Sequence, residues 1–144
     1  MTFSKPLGNE DESGFAFVKE ILQGDPTCAI NFDRIQKHPK YGYIIFEFLL
    51  CEEAQKVSPF TSHPSKYWHL NSQKFIALFK VARDLGAILY LVNYAKPGTK
   101  HEDEVLVIHV KDLNEQGITS QKVTKFTRKE FSKEFRKLNA ESCQ

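Results

Sequence analysis

Two acidic residues, Asp33 and Glu47, lie in stretches of the sequence that otherwise read as β-strands. Glu47 interrupts the run from Tyr43 to Leu50, in which all the remaining residues are apolar or aromatic. An ionised carboxylate in an apolar layer costs several kcal/mol unless a cation or a hydrogen-bond donor meets it. Glutamate is also a poor strand former. Glu47 is therefore expected to have a partner or to bind a cation.

The spacing of Asp33 and Glu47 suits a shared site. Side chains alternate along a strand, so Glu47 shares a face with Ile45 and Leu49. The separation of 14 residues allows a hairpin to bring Asp33 beside Glu47. Two adjacent carboxylates repel each other unless a cation lies between them, and their hard oxygen atoms suit Mg²⁺ or Mn²⁺. The pair predicts a divalent metal site, with a simple ion pair between Glu47 and a basic residue such as Arg34 as the alternative.

The first half of the chain predicts the elements that would position these carboxylates. The stretch SGFAFVKEILQGD has its apolar residues on one helical face. The stretches TCAINFDRI and YGYIIFEFLLCEE alternate like strands, and the turn residues of QKHPKYG between them favour a hairpin. The connection after the hairpin, residues 54–70, is long and contains two prolines, which is typical of a functional or mobile segment, although a short additional strand is not excluded there.

The second half alternates helices with buried strands. NSQKFIALFKVARDLG carries a continuous apolar stripe, with Asn71 as the expected N-cap and Gly86 as the expected C-cap. AILYLVNYA is apolar throughout, which is typical of a strand covered on both faces. EVLVIHVKDL predicts a further strand.

The C-terminal part of the chain is basic. Residues 120–138 hold seven Lys or Arg and two Glu, a local charge of +5, whereas the whole chain carries only +2. Thr127 and Glu130 match the capping box of a final helix. A basic segment on a slightly acidic body predicts contact with nucleic acid, and a solvated helix face is the alternative. The candidate phosphate-binding residues are Lys125, Arg128, Lys129 and Lys133.

The order of elements predicts an α/β fold with a mixed central sheet flanked by helices in three layers. A length of 144 residues suits a single domain, 1–144, with a loose tail over residues 1–12. No apolar run approaches the roughly 18 residues of a membrane span, so no membrane partner is expected. The polar N-terminal sequence and three cysteines without a CxxC motif favour a cytoplasmic protein.

The order of these elements resembles the PD-(D/E)XK, or restriction-endonuclease-like, nucleases. The resemblance is carried by a strand-like segment with Asp33, the strand FEFLL around Glu47, and the helix and buried strand of SQKFIALFKVARDLGAILYLVNY. The resemblance covers about residues 14–111, which would form a nuclease-like core. It implies that Asp33, Glu47 and the carbonyl of Phe48 hold Mg²⁺ or Mn²⁺. It also implies hydrolysis of phosphodiester bonds in DNA or RNA, and is compatible with a homodimer.

The sequence departs from the family pattern in two places. No proline directly precedes Asp33, and Leu49 stands where the family has its lysine. Lys74, on the inward flank of the second predicted helix, is the candidate to supply that positive charge beside Glu47. Alternatively, Lys74 extends its ammonium group to water. Leu49 favours a second function, a non-catalytic module on the same fold that binds nucleic acid or a protein.

Overall fold

A five-stranded mixed β-sheet organises the chain in the computed structural model, which describes residues 13–143. The strands lie side by side in chain order, β2 pairs with β3 in parallel, and the other neighbours are antiparallel. The strands are β1 (Arg34–His38), β2 (Gly42–Leu50), β3 (Ile88–Tyr94), β4 (Glu104–Asn114) and β5 (Gly117–Thr127). The expected tail, residues 1–12, lies outside the described residues.

Three α-helices accompany the sheet: α1 (Ser13–Leu22), α2 (Trp68–Leu85) and α3 (Arg128–Ser142). α2 lies in the crossover from β2 to β3, a connection that two parallel strands require. α2 packs on one face of the sheet and α3 on the other. The predicted α/β fold with a mixed sheet is therefore confirmed.

The larger part of the core lies between α2 and the sheet. Phe75, Leu78 and Ala82 of α2 are buried against apolar side chains of β2, β3 and β4. α2 ends as predicted at Gly86, whose φ of 62° is left-handed and therefore favours glycine.

The start of α2 differs from the sequence-based expectation. Asn71 is not the N-cap, because the helix begins three residues earlier at Trp68. A short 3₁₀ helix, Pro64–Tyr67, leads directly into α2. The Trp68 side chain is buried and its Nε1 donates a hydrogen bond to the carbonyl of Glu115 at 2.8 Å. This tertiary anchor extends the helix beyond the position that its local capping signal indicated.

The opposite face of the sheet is covered by aromatic residues of α3. Phe135 stacks on Phe46 of β2 with ring centroids 5.1 Å apart, and Phe131 packs against the same cluster. The capping box at the start of α3 is confirmed, since Thr127 Oγ1 accepts a hydrogen bond from the Glu130 amide and Glu130 Oε1 accepts one from the Thr127 amide.

The hairpin β1–β2 is confirmed, but β1 begins later than predicted. Asp33 directly precedes β1 instead of lying inside a strand, and residues 27–32 do not belong to a strand. The turn occupies residues 39–41, where His38 Nδ1 accepts hydrogen bonds from the amides of Lys40 and Tyr41. This turn sets the register, so that Arg34 pairs with Phe46 at the last position of the ladder.

β5 is an element that the sequence analysis did not predict. It forms the edge of the described sheet and pairs with β4 along a long hairpin. Most of its residues are exposed, so it lacks the apolar alternation by which strands are recognised. The basic segment 120–138 is consequently divided at Thr127 between β5 and α3.

α1 stands apart from the core. Its apolar side chains remain in solvent, with Phe15 70 % exposed and Ile21 59 % exposed, and none of its residues is buried. Both faces of the sheet are already covered by α2 and α3, so the apolar face of α1 does not enter either core cluster. Among the helices of residues 13–143, none combines the length and the apolar character needed to cross a bilayer.

The contrast between α2 and α1 gives a stability prediction. Phe75→Ala is expected to lower the free energy of unfolding by about 3–5 kcal/mol, because Phe75 is fully buried. The same substitution at Phe15, which is exposed, is expected to change it by no more than about 0.5 kcal/mol. Urea unfolding of the two variants measures both values. A large loss in Phe15→Ala would show that α1 packs on the domain.

Candidate functional site

β2 carries Glu47 into the apolar layer beneath α2. Ile45 and Leu49, two residues before and after it, face the same core cluster, as alternation along the strand requires. Leu91 lies opposite Glu47 on the parallel neighbour β3 and is itself buried. Glu47 is only 5 % exposed. The carboxylate is thus held in the low-dielectric environment that the sequence predicted.

Lys74 of α2 is the partner of this carboxylate. Its Nζ lies 2.7 Å from Glu47 Oε1, so of the two alternatives for Lys74 the structure shows the contact with Glu47. The Lys74 side chain is 46 % exposed, so solvent reaches the cationic side of the pair but hardly reaches the acidic side. A charge-assisted hydrogen bond of this kind offsets the desolvation of a buried carboxylate.

The alternative to a metal site, a simple ion pair between Glu47 and a basic residue, is therefore present with Lys74 as the partner. Arg34, named as an example of such a partner, lies on the opposite face of the sheet. Its guanidinium donates to Gln36 at 2.8 Å and to Asn139 of α3 at 2.5 Å. The same group stacks over the ring of Phe135 at 5.0 Å. Arg34 therefore ties β1 to α3 and takes no part in the site of Glu47.

Asp33 lies next to Glu47 on the neighbouring segment. Because Arg34 pairs with Phe46, one further step along the ladder sets Asp33 opposite Glu47. The backbone ladder has ended there, and Asp33 Oδ2 accepts a hydrogen bond from the amide of Phe48 at 2.8 Å. Asp33 is exposed, so this second carboxylate approaches from the solvent side.

The electrostatics of the site favour a cation. Burial raises the pKa of Glu47 above its ordinary value, and the negative charge of the Asp33 side chain adds to this rise. The hydrogen bond and the charge of Lys74, together with a hydrogen bond from the backbone of Asp33, oppose it. Glu47 Oε2 is buried and has no hydrogen-bond partner among residues 13–143. A buried acceptor without a partner costs about 1–3 kcal/mol, so one carboxylate oxygen remains to be satisfied.

The described residues offer few ligands for a metal ion. Among them there is no group of three or more His, Cys, Asp or Glu that could hold one. Mg²⁺, however, typically takes one or two carboxylates and fills its remaining positions with water and substrate phosphate. The unpartnered oxygen of Glu47, the exposed carboxylate of Asp33 and the carbonyl of Phe48 are the donors available for such an ion.

Arg128 lies near Asp33 but is held by the backbone. Arg128 and Asp33 line the same surface depression, between β2, β3 and the start of α3. The guanidinium of Arg128 donates to the carbonyls of Ala95 at 2.5 Å and Glu102 at 2.7 Å. These bonds fasten the start of α3 to the loop after β3, which gives Arg128 a structural role.

The other three basic candidates do not share one surface. Lys129 and Lys133 are exposed along α3. Lys125 of β5 lies on the α2 side, where its Nζ sits 5.2 Å from the centre of the Phe60 ring. The four basic candidates, Lys125, Arg128, Lys129 and Lys133, therefore do not form a single basic face.

A groove that the site analysis of the sequence did not identify adjoins Lys74. We call it the lysine groove; it lies between the segment after β2 and the first turns of α2, and is lined by Lys56, Lys66, Tyr67, Leu70, Lys74 and Asn93 among others. The long connection 54–70 was the only sequence signal for it. Its individual lysines belong to no motif, so only the fold shows that they converge.

No protein family model, no curated protein and no solved structure matches the chain. The functional inference therefore depends on the residues and geometry described above.

The raised pKa of Glu47 predicts a particular dependence of stability on pH. The folded chain holds the Glu47 proton more tightly than the unfolded chain, whose carboxyl titrates near 4.5. The stability contributed by this proton is present at low pH and is lost as pH rises through the folded pKa. The wild type should therefore lose stability relative to Glu47→Gln as pH rises from about 4.5.

Glu130→Gln is the matched control for this measurement. Hydrogen bonds from the backbone and side chain of Thr127 lower the pKa of Glu130, so its contribution is present above 4.5 and is lost as pH falls. Urea unfolding of the wild type and both variants across this pH range should give trends of opposite sign. A wild type that gains stability relative to Glu47→Gln as pH rises would contradict the buried position of Glu47.

Proposed function

We propose that the protein is a metal-dependent nuclease that hydrolyses phosphodiester bonds in DNA or RNA. The observation that carries this proposal is the buried carboxylate of Glu47, with Lys74 at 2.7 Å on Oε1, the backbone and carboxylate of Asp33 nearby, and no partner within hydrogen-bonding geometry for Oε2 among residues 13–143. Asp33, Glu47 and the carbonyl of Phe48 are the proposed ligands of Mg²⁺ or Mn²⁺. Asp33, Glu47 and Lys74 are the proposed catalytic residues.

The order of elements supports a restriction-endonuclease-like core. Asp33 stands at the start of one hairpin strand and Glu47 in the second half of the other. α2 then crosses to β3, which lies parallel to β2, and the start of α2 passes beside the end of β2. This is the sequence of elements that the resemblance to PD-(D/E)XK nucleases implies. The three proposed residues come from different segments of the chain: Lys74 contacts Glu47, and Asp33 lies on the segment next to β2.

Each residue has a role that follows from its surroundings. When bound, a divalent ion would polarise a phosphate oxygen and lower the pKa of a water molecule at the site. Asp33 and Glu47 supply the negative charge that holds the ion, and the apolar layer around Glu47 strengthens that attraction. Lys74 keeps a positive charge at the solvent side of Glu47, where it stabilises the negative charge that develops on a phosphate during hydrolysis.

A second candidate function is a non-catalytic module that binds nucleic acid or a protein. The observation that favours it is the closed ion pair between Lys74 and Glu47, which satisfies one carboxylate oxygen without a metal. Leu49 also occupies the position at which the nuclease family has its lysine. In this function the ion pair would only fix α2 on the sheet, and Lys129 and Lys133 would contact a partner.

Metal binding separates the two functions. Mn²⁺ at about 100 times its Kd should stabilise the folded protein by about 2.7 kcal/mol and raise its melting temperature. Glu47→Gln should abolish the increase, whereas Asp84→Asn, which removes an exposed carboxylate of α2, should retain it. A melting temperature that Mn²⁺ leaves unchanged in the wild type would exclude the metal site.

Catalysis is measured with plasmid, single-stranded DNA and RNA in the presence of Mn²⁺. The wild type and Asp84→Asn should cleave at least one of these substrates. Asp33→Asn and Glu47→Gln should reduce the rate at least about 100-fold, because each removes a metal ligand. Cleavage by Asp33→Asn at the wild-type rate would show that another site is responsible.

A further inference from the structure

We propose that the lysine groove binds a single strand of nucleic acid and leads it to Asp33 and Glu47. The proposal rests on the proposed nuclease function and adds the class of substrate. The groove has a volume of about 680 Å³ and ends at Lys74, the residue that contacts Glu47. A strand that follows the groove would therefore reach Lys74, which contacts the buried Glu47.

The charge of the groove suits a polyanion. Three lysines, Lys56, Lys66 and Lys74, line it, and none of the described residues that line it is acidic. Lys56 and Lys66 are exposed and have no ion-pair partner among the described residues, so both ammonium groups are available to phosphates. Each phosphate that a lysine neutralises releases a counterion, which drives binding at low salt.

The apolar side chains of the groove favour a single strand over a duplex. Leu70, on the first turn of α2, is 73 % exposed at the edge of the groove, and Val57 and Leu50 line its wall. Unpaired bases present apolar faces that can contact such residues, whereas the bases of a duplex are already stacked on each other. A surface that combines lysines with exposed apolar groups therefore fits a strand whose bases are unpaired.

The polar groups of the groove are fixed in place. Asn93 is completely buried; its Nδ2 donates to the carbonyls of Pro59 at 3.2 Å and Ser62 at 2.7 Å. Its Oδ1 is buried and has no hydrogen-bond partner among residues 13–143.

The depression on the other face of the sheet is less suited to a polyanion. It lies between α3 and the sheet, and its lining mixes Lys122 and Lys137 with Glu134 and Glu141. The opposite charges reduce its attraction for phosphates. The lysine groove is the better candidate because its charges have one sign and because it adjoins Glu47.

The test is the binding of a fluorescein-labelled twelve-nucleotide oligo(dT), measured by anisotropy in EDTA so that no cleavage occurs. The wild type should bind the strand more tightly than a duplex of the same length. Phosphate contacts by the two unpaired lysines, Lys56 and Lys66, predict a slope of log K against log salt of about −1.4. Lys56→Gln/Lys66→Gln should weaken binding about 5- to 10-fold and reduce the slope by about 1.4.

Two charge-matched variants serve as controls. Lys19→Gln/Lys80→Gln removes two exposed lysines that lie outside the groove, and should bind like the wild type. Lys129→Gln/Lys133→Gln tests the surface of α3 in the same assay. Unchanged binding in Lys56→Gln/Lys66→Gln, or tighter binding of the duplex, would overturn the proposal. Loss of binding confined to the α3 variant would overturn it as well and assign the strand to α3.

Cleavage with Mn²⁺ distinguishes the failure of this proposal from the failure of the proposed function. Binding that depends on the groove, without cleavage by the wild type, would remove the nuclease and leave a strand-binding module. Cleavage that is unaffected by Lys56→Gln/Lys66→Gln would retain the nuclease and exclude the groove. Binding and cleavage that both fall in this variant, while Glu47→Gln loses cleavage alone, is the result that we expect.

Discussion

The ion pair between Glu47 and Lys74 is the interaction on which the site depends. A carboxylate that is almost completely buried in the sheet cannot remain ionised without a nearby positive charge. Lys74 provides it at 2.7 Å, from a helix that is held over the sheet by Phe75 and Leu78. The position of α2 and the charge of Glu47 are thus linked, because α2 places the lysine and the lysine makes the buried carboxylate tolerable.

The ion pair does not satisfy all the buried hydrogen-bond acceptors around the site. One oxygen of Glu47 and one oxygen of Asn93 are buried without partners among residues 13–143, and the two residues lie on the neighbouring strands β2 and β3. Unsatisfied buried acceptors are rare in folded proteins and call for an explanation. In the proposed function, a metal ion at Glu47 would bind its remaining oxygen. Both acceptors lie on the side of the sheet that faces α2, next to Lys74.

Sequence periodicity predicted the elements whose pattern is local. The hairpin, the apolar strand β3, the glycine at the end of α2 and the capping box of α3 all follow from neighbouring residues. β5 was missed because an edge strand with mostly exposed residues has no apolar period, and the start of α2 was misplaced because Trp68 is anchored by Glu115, far away in the sequence. Lys74 could be predicted from its helical position beside Glu47. The convergence of Lys56 and Lys66 could not be predicted, because Lys56 lies in an irregular stretch after β2 and Lys66 in the short 3₁₀ helix before α2.

The most direct test of the central claim is a double-mutant cycle of Glu47→Gln and Lys74→Met, measured by urea unfolding at neutral pH in EDTA. The ion pair predicts a favourable coupling free energy of about 1–3 kcal/mol, less than for a fully buried pair because Lys74 is half exposed. Lys74→Met alone should strongly lower the free energy of unfolding. Adding Glu47→Gln to the same chain should restore most of that free energy. Effects that add within about 0.5 kcal/mol would show that the two residues do not interact, and would contradict the account of the site.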